Sequence, residues 1–439
     1  MDDATAMLAA RDRRRMAIVV GSTPAPSETH LMREIDELER LGWDITLFLA
    51  PGVGASLPPG DKERGERRVA HGVAPSTHVR GGTLMWWLRR DPWRVLVLYA
   101  VVITAQSRRP RRLLSSIATI HHAFYWARHA HQSGLTQLHA HGAGDVALAA
   151  WAVSQLTGSA YSISCFGRDV DGDDKMLRRK MRDAFAITAS SRSLRDQHLA
   201  TLIAPRDLAR VSVIPPGVVA AAYAVRTDRG RERGRAITLL TVAPLVEGSG
   251  LTALIDACAD LMARGCYVQC QIIGSGPAWS ALWRRIADAG LQGRVVLAGA
   301  QPRSEIRRAL QGASFYVQPA DQCASPDVPT ALIEAMALGV PVLATRTSIH
   351  MEYVIDGSTG LLTPPNASSA LADAIVRLDR DESLTRALAR AARARIIAGA
   401  DLHHAMLLFH TLLIEKRDSP AHERALALRG VEVLSATQQ

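Results

Sequence analysis

One carboxylate stands inside an otherwise apolar stretch, Pro329-Thr-Ala-Leu-Ile-Glu334-Ala-Met-Ala-Leu-Gly339-Val-Pro341-Val. The stretch reads as a short helix. Pro329 sits near its first position, where a missing N–H costs nothing. Gly339 supplies the left-handed stop. The positive N-terminus of such a helix is a ready place for a phosphate, with Pro329 and Thr330 at its mouth. Glu334 lies just over one turn inside and needs hydroxyl or amide partners. A ribose diol would supply them, and so would a neighbouring loop that the side chain caps.

A second stretch, Ile272-Ile-Gly274-Ser-Gly276-Pro277, follows an apolar run and precedes a helical one. Glycines there let backbone N–H groups approach a phosphate or a base, and a tight strand-to-helix turn wants them equally. His139 and His141, in His-Ala-His, point to one face if the segment is a regular strand. That face is either a site or a structural contact. His121, His122, His129 and His131 fall on a helical stretch without the HExxH spacing, so no metal site is expected.

These residues need two sets of elements to position them. The first opens with a strand at 16–21, a turn, and a helix carrying Leu31, Ile35 and Leu38 at helical spacing, ended by Gly42. A strand follows at 44–49. Residues 51–83 read as a loop and 84–134 as mostly helical. Strand-like runs return at 137–140, 161–164, 186–189 and 211–214. The polar stretch 227–235 (TDRGRERGR) reads as a linker. A second strand–helix series has strands at 237–242, 267–273, 295–298, 315–318 and 342–345. A helix at 402–416 and a tail from 418 close the chain. The expectation is therefore α/β, with two doubly wound Rossmann-like domains at 16–226 and 236–400, facing each other across a cleft that holds ligand at the strands' carboxyl ends.

At 439 residues with 48% apolar content, the chain can fill two cores. Lys and Arg exceed Asp and Glu by 52 − 42 = 10. That excess suits an anionic partner: a nucleotide, a lipid head or nucleic acid. The Arg clusters at 11–15, 108–112, 178–182 and 226–235 read equally as solvated surface, and a nucleic-acid partner is not expected. Five cysteines with no CxxC pair fit a reducing cytoplasm. The N-terminal MDDATAMLAARDRRR has no apolar core of a secretory signal. The apolar run at 95–105 is too short to span a bilayer. Trp86, Trp87 and Trp93 interleaved with Arg89, Arg90 and Arg94 fit either a buried helix or a peripheral helix at the inner membrane surface.

Taken in order, the segments LLTVAPLVEGSGLTALIDACADL, IIGSGP, VVLAGAQPRSEIRRALQGASFYVQPA, PTALIEAMALGVPVLAT and VIDGSTGLLTPP resemble family 4 glycosyltransferases of the GT-B fold. Pro26-Ser27-Glu28-Thr29 with Arg33-Glu34-Ile35, then LHAHGAGDVALAAWAV and VIPPGV, resemble the exopolysaccharide and colanic-acid type. The resemblance implies hexosyl transfer from a nucleotide-sugar to a lipid-linked or polysaccharide acceptor. It also implies retention and no cofactor beyond the donor itself. It puts Gly274, Gly276, Pro277, Pro329, Thr330, Glu334 and Glu352 on the donor, and Ser27, Glu28 and His141 on the acceptor side.

Several positions depart from that pattern. Eight residues before Glu334 the family has an acid; here it is Pro326, with Asp327 one residue away as a substitute. The Arg and Lys that the family lays on the donor diphosphate are replaced within Ala243-Pro244-Leu245 and Gly248-Ser249-Gly250. One lost oxyanion donor already costs about 3–4 kcal/mol. Phe166 stands for the family's His in Cys165-Phe166-Gly167-Arg168-Asp169, and only Glu352 survives of the usual Gly-Gly-x-Pro-Glu loop. Arg168, Asp169 and Asp327 are the catalytic candidates left, with Arg168, His350 and Arg346 as replacement cations. The alternatives are a catalytically degenerate subunit that binds or scaffolds, and another two-Rossmann enzyme.

Overall fold

The computed structural model describes residues 14–21, 29–49, 77–170, 175–219, 236–321 and 327–417. Ser27, Glu28, Pro326, the expected linker 227–235 and the tail from 418 lie outside these residues, as does the side chain of Arg168. The chain divides into two compact units. The first comprises the chain up to Ser190, Leu194–Ile214 and the chain from Met406; the second comprises Ser191–Ser193 and Pro215–Ala405. The division thus falls at Ile214/Pro215 rather than at 226, and the chain returns to the first unit within its last helix.

In the first unit the order is β1 (Arg14–Val20), α1 (Thr29–Arg40), β2 (Trp43–Leu49), α2 (Thr77–Arg90), α3 (Pro92–Gln106), α4 (Pro110–Ser133), β3 (Gln137–His141), α5 (Asp145–Thr157), β4 (Ala160–Cys165), α6 (Lys175–Asp183), β5 (Ala186–Ala189) and β6 (Val211–Val213). The six strands form one parallel sheet in the order β2-β1-β3-β4-β5-β6. Met16 to Val20 are all buried because both faces of the sheet are covered, which is why β1 reads as an unbroken apolar run. Leu31, Ile35 and Leu38 bury the inner stripe of α1 as their spacing predicts.

The helical region begins earlier than the sequence suggests. α2 starts at Thr77, inside the segment read as a loop. Gly81 and Gly82 mask it locally, since glycine opposes helix formation, while tertiary burial of Thr83 and Trp87 overrides that preference. Trp87 donates its indole N–H to the Phe124 carbonyl at 3.1 Å. Trp86 lies edge-on to Trp87, with the guanidinium groups of Arg90 and Arg128 over its ring. Two of the three tryptophans flanking α3 therefore pack into the unit, while Trp93 is exposed.

In the second unit the order is β7 (Ile237–Val242), α7 (Leu251–Ala263), β8 (Val268–Ile273), α8 (Trp279–Asp288), β9 (Val295–Gly299), α9 (Arg303–Gly312), β10 (Phe315–Gln318), α10 (Thr330–Leu338), β11 (Val342–Thr345), α11 (Ser348–Tyr353), β12 (Leu361–Thr363), α12 (Ser368–Arg380) and α13 (Glu382–Gly399). Its parallel sheet runs β12-β11-β10-β7-β8-β9. β12 is a strand the sequence reading lacks. Three residues are too few for a periodic signal, and only pairing with β11 reveals them. The last helix, α14 (Leu402–Arg417), brings His410 to the Trp43 indole N–H at 3.0 Å and Phe409 against the His139 ring. Among the described residues no helix is long and apolar enough to cross a membrane.

In both sheets the chain reverses its direction of growth once. The reversal lies between β1 and β3 in the first and between β7 and β10 in the second. Ligands of such sheets collect at the strands' carboxyl ends beside this reversal.

Candidate functional site

In the second unit the loops leaving β7 and β10 are pinned together. Asp321 N–H donates to the Gly248 carbonyl at 3.1 Å, and Ala320 N–H donates to Thr345 Oγ1 at 3.0 Å. Gly250 caps α7 in the left-handed conformation, where a Cβ would press on the Ala320 backbone. The segment Gly248-Ser249-Gly250 thus owes its second glycine to this crossing of two loops.

α10 follows from the β10 loop. Pro329 is the residue before its first turn rather than within it, and it offers no side-chain cap. Gly339 closes the helix at φ 75°, as expected. Leu332 to Leu338 are all buried, so α10 is enclosed along most of its length. Only its N-terminal end, at an exposed Thr330, opens outward. The first-turn N–H groups of a helix have no partners within the helix, and the aligned peptide dipoles make that end positive.

Glu334 is 5% exposed. Its partner is not the hydroxyl or amide expected from sequence but a guanidinium: Arg303, the first residue of α9, donates from an Nη to Oε1. Among the described residues nothing donates to Oε2. An unpaired charge buried in this apolar helix would be costly, and the ion pair supplies the compensation. The sequence reading missed Arg303. Its only local signal is Pro302-Arg303 at a helix start, and the pairing spans 31 residues.

Residues 227–395 match the family described as Glycosyl transferases group 1. The described part of that match lies within the second unit, which is therefore similar to group 1 glycosyltransferases. Over 163 residues the chain is 36% identical to the amylovoran biosynthesis glycosyltransferase AmsK of Erwinia amylovora, covering 36% of this chain and 40% of that protein. Over 150 residues it is 33% identical to WcaL of Salmonella typhimurium, a protein named for colanic acid biosynthesis, covering 34% and 37%. The match thus spans well under half the length of each relative. The Anabaena protein HepE, solved with UDP and glucose, superposes with a TM-score of 0.68 at 16% identity over 91% of this chain and 99% of that one. That likeness establishes the GT-B fold.

Within the second unit, several expected site residues have structural occupations. At Gly274 (φ 155°) a Cβ would run into the Ala243 carbonyl, and at Gly276 (φ 156°) into the Leu245 carbonyl. Leu245 N–H donates to the Ser275 carbonyl at 3.0 Å, and Ala278 N–H to the Leu245 carbonyl at 2.9 Å. The two glycines are therefore required by close backbone packing between the β7 and β8 loops, whatever binds there. Pro277 belongs to the same turn.

His350 is not the replacement cation the sequence suggested. It is 3% exposed, and its Nδ1 donates to the Thr345 carbonyl at 2.8 Å. Burial lowers its pKa from the usual 6.5, so the ring is neutral at neutral pH. Arg346 is a cation, but Asp356 takes it at 2.6 Å. Glu352 accepts from the backbone N–H groups of Arg192 at 3.0 Å and Ser193 at 2.6 Å, so both carboxylate oxygens cap a chain turn. Asp327 is half-buried beside the α10 entrance.

In the first unit the sheet's reversal point gathers a different set. His141 ends β3, with its Nδ1 3.9 Å from Glu34 Oε2 on α1. Phe166 lies against the His141 ring at 4.7 Å between centroids. Asp169 follows in the turn Gly167–Asp169, and a Cβ on Gly142 would come within 2.8 Å of its carboxylate. His141 and Glu34 are thus brought together, although Glu34 was not picked out as a site residue, and Asp169 lies beside the neighbouring Gly142. Burial pushes the Glu34 carboxyl up to about 7, so it holds a proton over much of the neutral range. Among the described residues no cluster of three or more His, Cys, Asp or Glu could hold a metal ion.

His139, two residues before His141, faces inward rather than into a site. Its Nδ1 meets Ser162 Oγ at 2.9 Å, and burial, with His141 beside it, pushes its pKa down to about 3. The unfolded chain then takes up the proton first, so stability is lost as pH falls from 6.5 toward 3. At pH 5 the loss amounts to about 2 kcal/mol, since each pH step below the unfolded value costs about 1.36 kcal/mol. Glu34 acts with the opposite sign: its contribution is present at low pH and fades between 4.5 and 7. Urea unfolding at pH 7 and pH 5 should show His139→Gln losing about 2 kcal/mol less than wild type on acidification. Identical losses would remove this account of His139.

Proposed function

We propose that the chain transfers a hexosyl group from a nucleotide-sugar to a saccharide or lipid-linked acceptor in exopolysaccharide assembly, with retention at the transferred carbon. One observation carries the reading. The domain matched to group 1 glycosyltransferases opens the positive end of α10 beside its sheet's reversal point, with Glu334 one turn inside. The donor diphosphate would meet the N–H groups of Thr330 and its neighbours. The ribose hydroxyls would donate to Glu334 Oε2, while Arg303 keeps Oε1 and holds the side chain in place. Arg303 also adds positive charge that His350 does not supply.

In the first unit, His141, Glu34 and Asp169 form the acceptor side of this reading. A carboxyl that titrates near 7 can take a proton from an attacking hydroxyl and return it within one cycle. We place the protein at the cytoplasmic face of the inner membrane, held peripherally, because α3 carries apolar side chains outward between arginines. The relatives named for glycosyl transfer do not favour the degenerate-subunit alternative.

Calorimetry with UDP-glucose, UDP-galactose and GDP-mannose tests the donor site. One donor should bind in the micromolar range, and Glu334→Gln should weaken it by roughly 10- to 100-fold, the equivalent of about 1.5–3 kcal/mol for charge-assisted hydrogen bonds. Binding of no donor, or equal binding by the variant, would remove Glu334 from the site.

A further inference from the structure

The first unit holds a cationic depression that the donor and acceptor reading does not use. It has a volume of about 430 Å³ and lies between α3, α6 and the helical turn Pro205–Leu208. Lys175, Arg178, Arg179, Arg182 and Arg206 line it against a single acid, Asp207. The acid is already engaged, with Arg210 at 3.7 Å as well as Arg206 at 4.0 Å.

The cations are positioned and only partly satisfied. Arg178, Arg179 and Arg182 project from one side of α6 at helical spacing. Arg178 spends its Nε on the Leu202 carbonyl at 2.8 Å, which fixes the side chain and leaves its Nη groups available. Arg179 lies over the Trp151 ring, and its Nε makes no hydrogen bond but pairs with Asp183 at 3.9 Å. Arg182 has only a 3.5 Å contact from its Nε to Asp183. Asp183 and Asp207 offset part of this charge, and the remaining self-repulsion among five cations favours a bound anion.

The opposite wall is apolar. Val101, Thr104 and Ala105 of α3 form it. At about 100° per residue the same face of α3 continues through Val97 to Trp93, which are 44% and 53% exposed. Leu96 and Ile103 flank that stripe, also exposed. A helix with one apolar face in the core and a second facing outward is unusual on a solvated surface. Here the outward stripe leads directly to the rim of the cationic depression.

We propose that this depression binds the phosphate group of an anionic ligand, gripped by Lys175, Arg178, Arg182 and Arg206. Guanidinium groups match phosphate oxygens in fork geometry, and a cluster of them makes a site that a single surface lysine does not. The phosphate has two sources: a lipid headgroup whose acyl chains lie along α3, or a soluble phosphate. The proposal stands independently of donor binding at α10.

The full chain is tested with soluble inorganic pyrophosphate by calorimetry, and with vesicles of phosphatidylcholine containing about one third phosphatidylglycerol by flotation. The variant Lys175→Gln/Arg178→Gln/Arg182→Gln should weaken binding at least 10-fold while donor binding at α10 is unchanged. Lys175→Gln alone, an exposed position, should weaken it severalfold and guards against misfolding of the triple variant. Vesicle binding that falls with both the triple variant and Trp93→Ser/Leu96→Ser identifies the lipid source. Pyrophosphate binding that falls only with the triple variant identifies the soluble source. Pyrophosphate and vesicle binding both unaffected by the triple and the single variant would overturn the site.

Discussion

Arg303→Met should destabilise the second unit by about 3 kcal/mol, and Glu334→Gln in the same chain should recover most of the loss. Removing one partner of a buried ion pair costs roughly 3–5 kcal/mol, because the other charge stays buried without compensation. The lower end applies because the Arg303 side chain is 18% exposed against 7% for Glu334. The double variant has neither charge and leaves none stranded. Urea denaturation of the four proteins forms a double-mutant cycle. Additive losses would show that Arg303 does not neutralise Glu334. The same cycle separates holding from binding: Arg303→Met should weaken donor affinity only as far as Glu334 loses its charge or position.

Gly274→Ala should be among the most damaging single changes in the chain, with a loss of roughly 4 kcal/mol or more. Its φ of 155° belongs to a region that side chains other than glycine avoid, at a cost of about 1–3 kcal/mol. Its new Cβ would also drive into the Ala243 carbonyl, and that backbone cannot step aside. Ala243 N–H is bonded to the Ile273 carbonyl at 3.0 Å, and Gly274 N–H to the Gly299 carbonyl at 2.9 Å. Gly312→Ala is the control. A Cβ added there, at the end of α9, would meet nothing within 4 Å, so alanine should be neutral or stabilising by about 0.5–1 kcal/mol. Thermal unfolding of both variants decides the matter. Equal midpoints would mean that the β7 and β8 loops separate easily, and the glycines would then be free for a ligand-binding role.

The sequence determined the α/β class, eleven of the twelve strands among the described residues to within a residue or two, and the helix that carries Glu334. Those features are local. Alternating apolar runs, a proline before a helix and a glycine after it act through neighbours a few residues apart. Tertiary structure decided what each polar residue does. Arg303 meets Glu334 across 31 residues, and Glu352 meets the Arg192 N–H across 160. His350 looked like a cation because its type permits charge, and only desolvation on burial removes it, against the opposing pull of the Thr345 carbonyl. Gly274 and Gly276 looked like a phosphate cradle, while the carbonyls that demand glycine there come from another loop. Glu34 was legible only as part of a motif until β3 brought His141 beside it. The reason is the same in each case. Charge and hydrogen bonding in a folded chain depend on desolvation and on partners distant in sequence, and neither is encoded in the spacing of residues along one element.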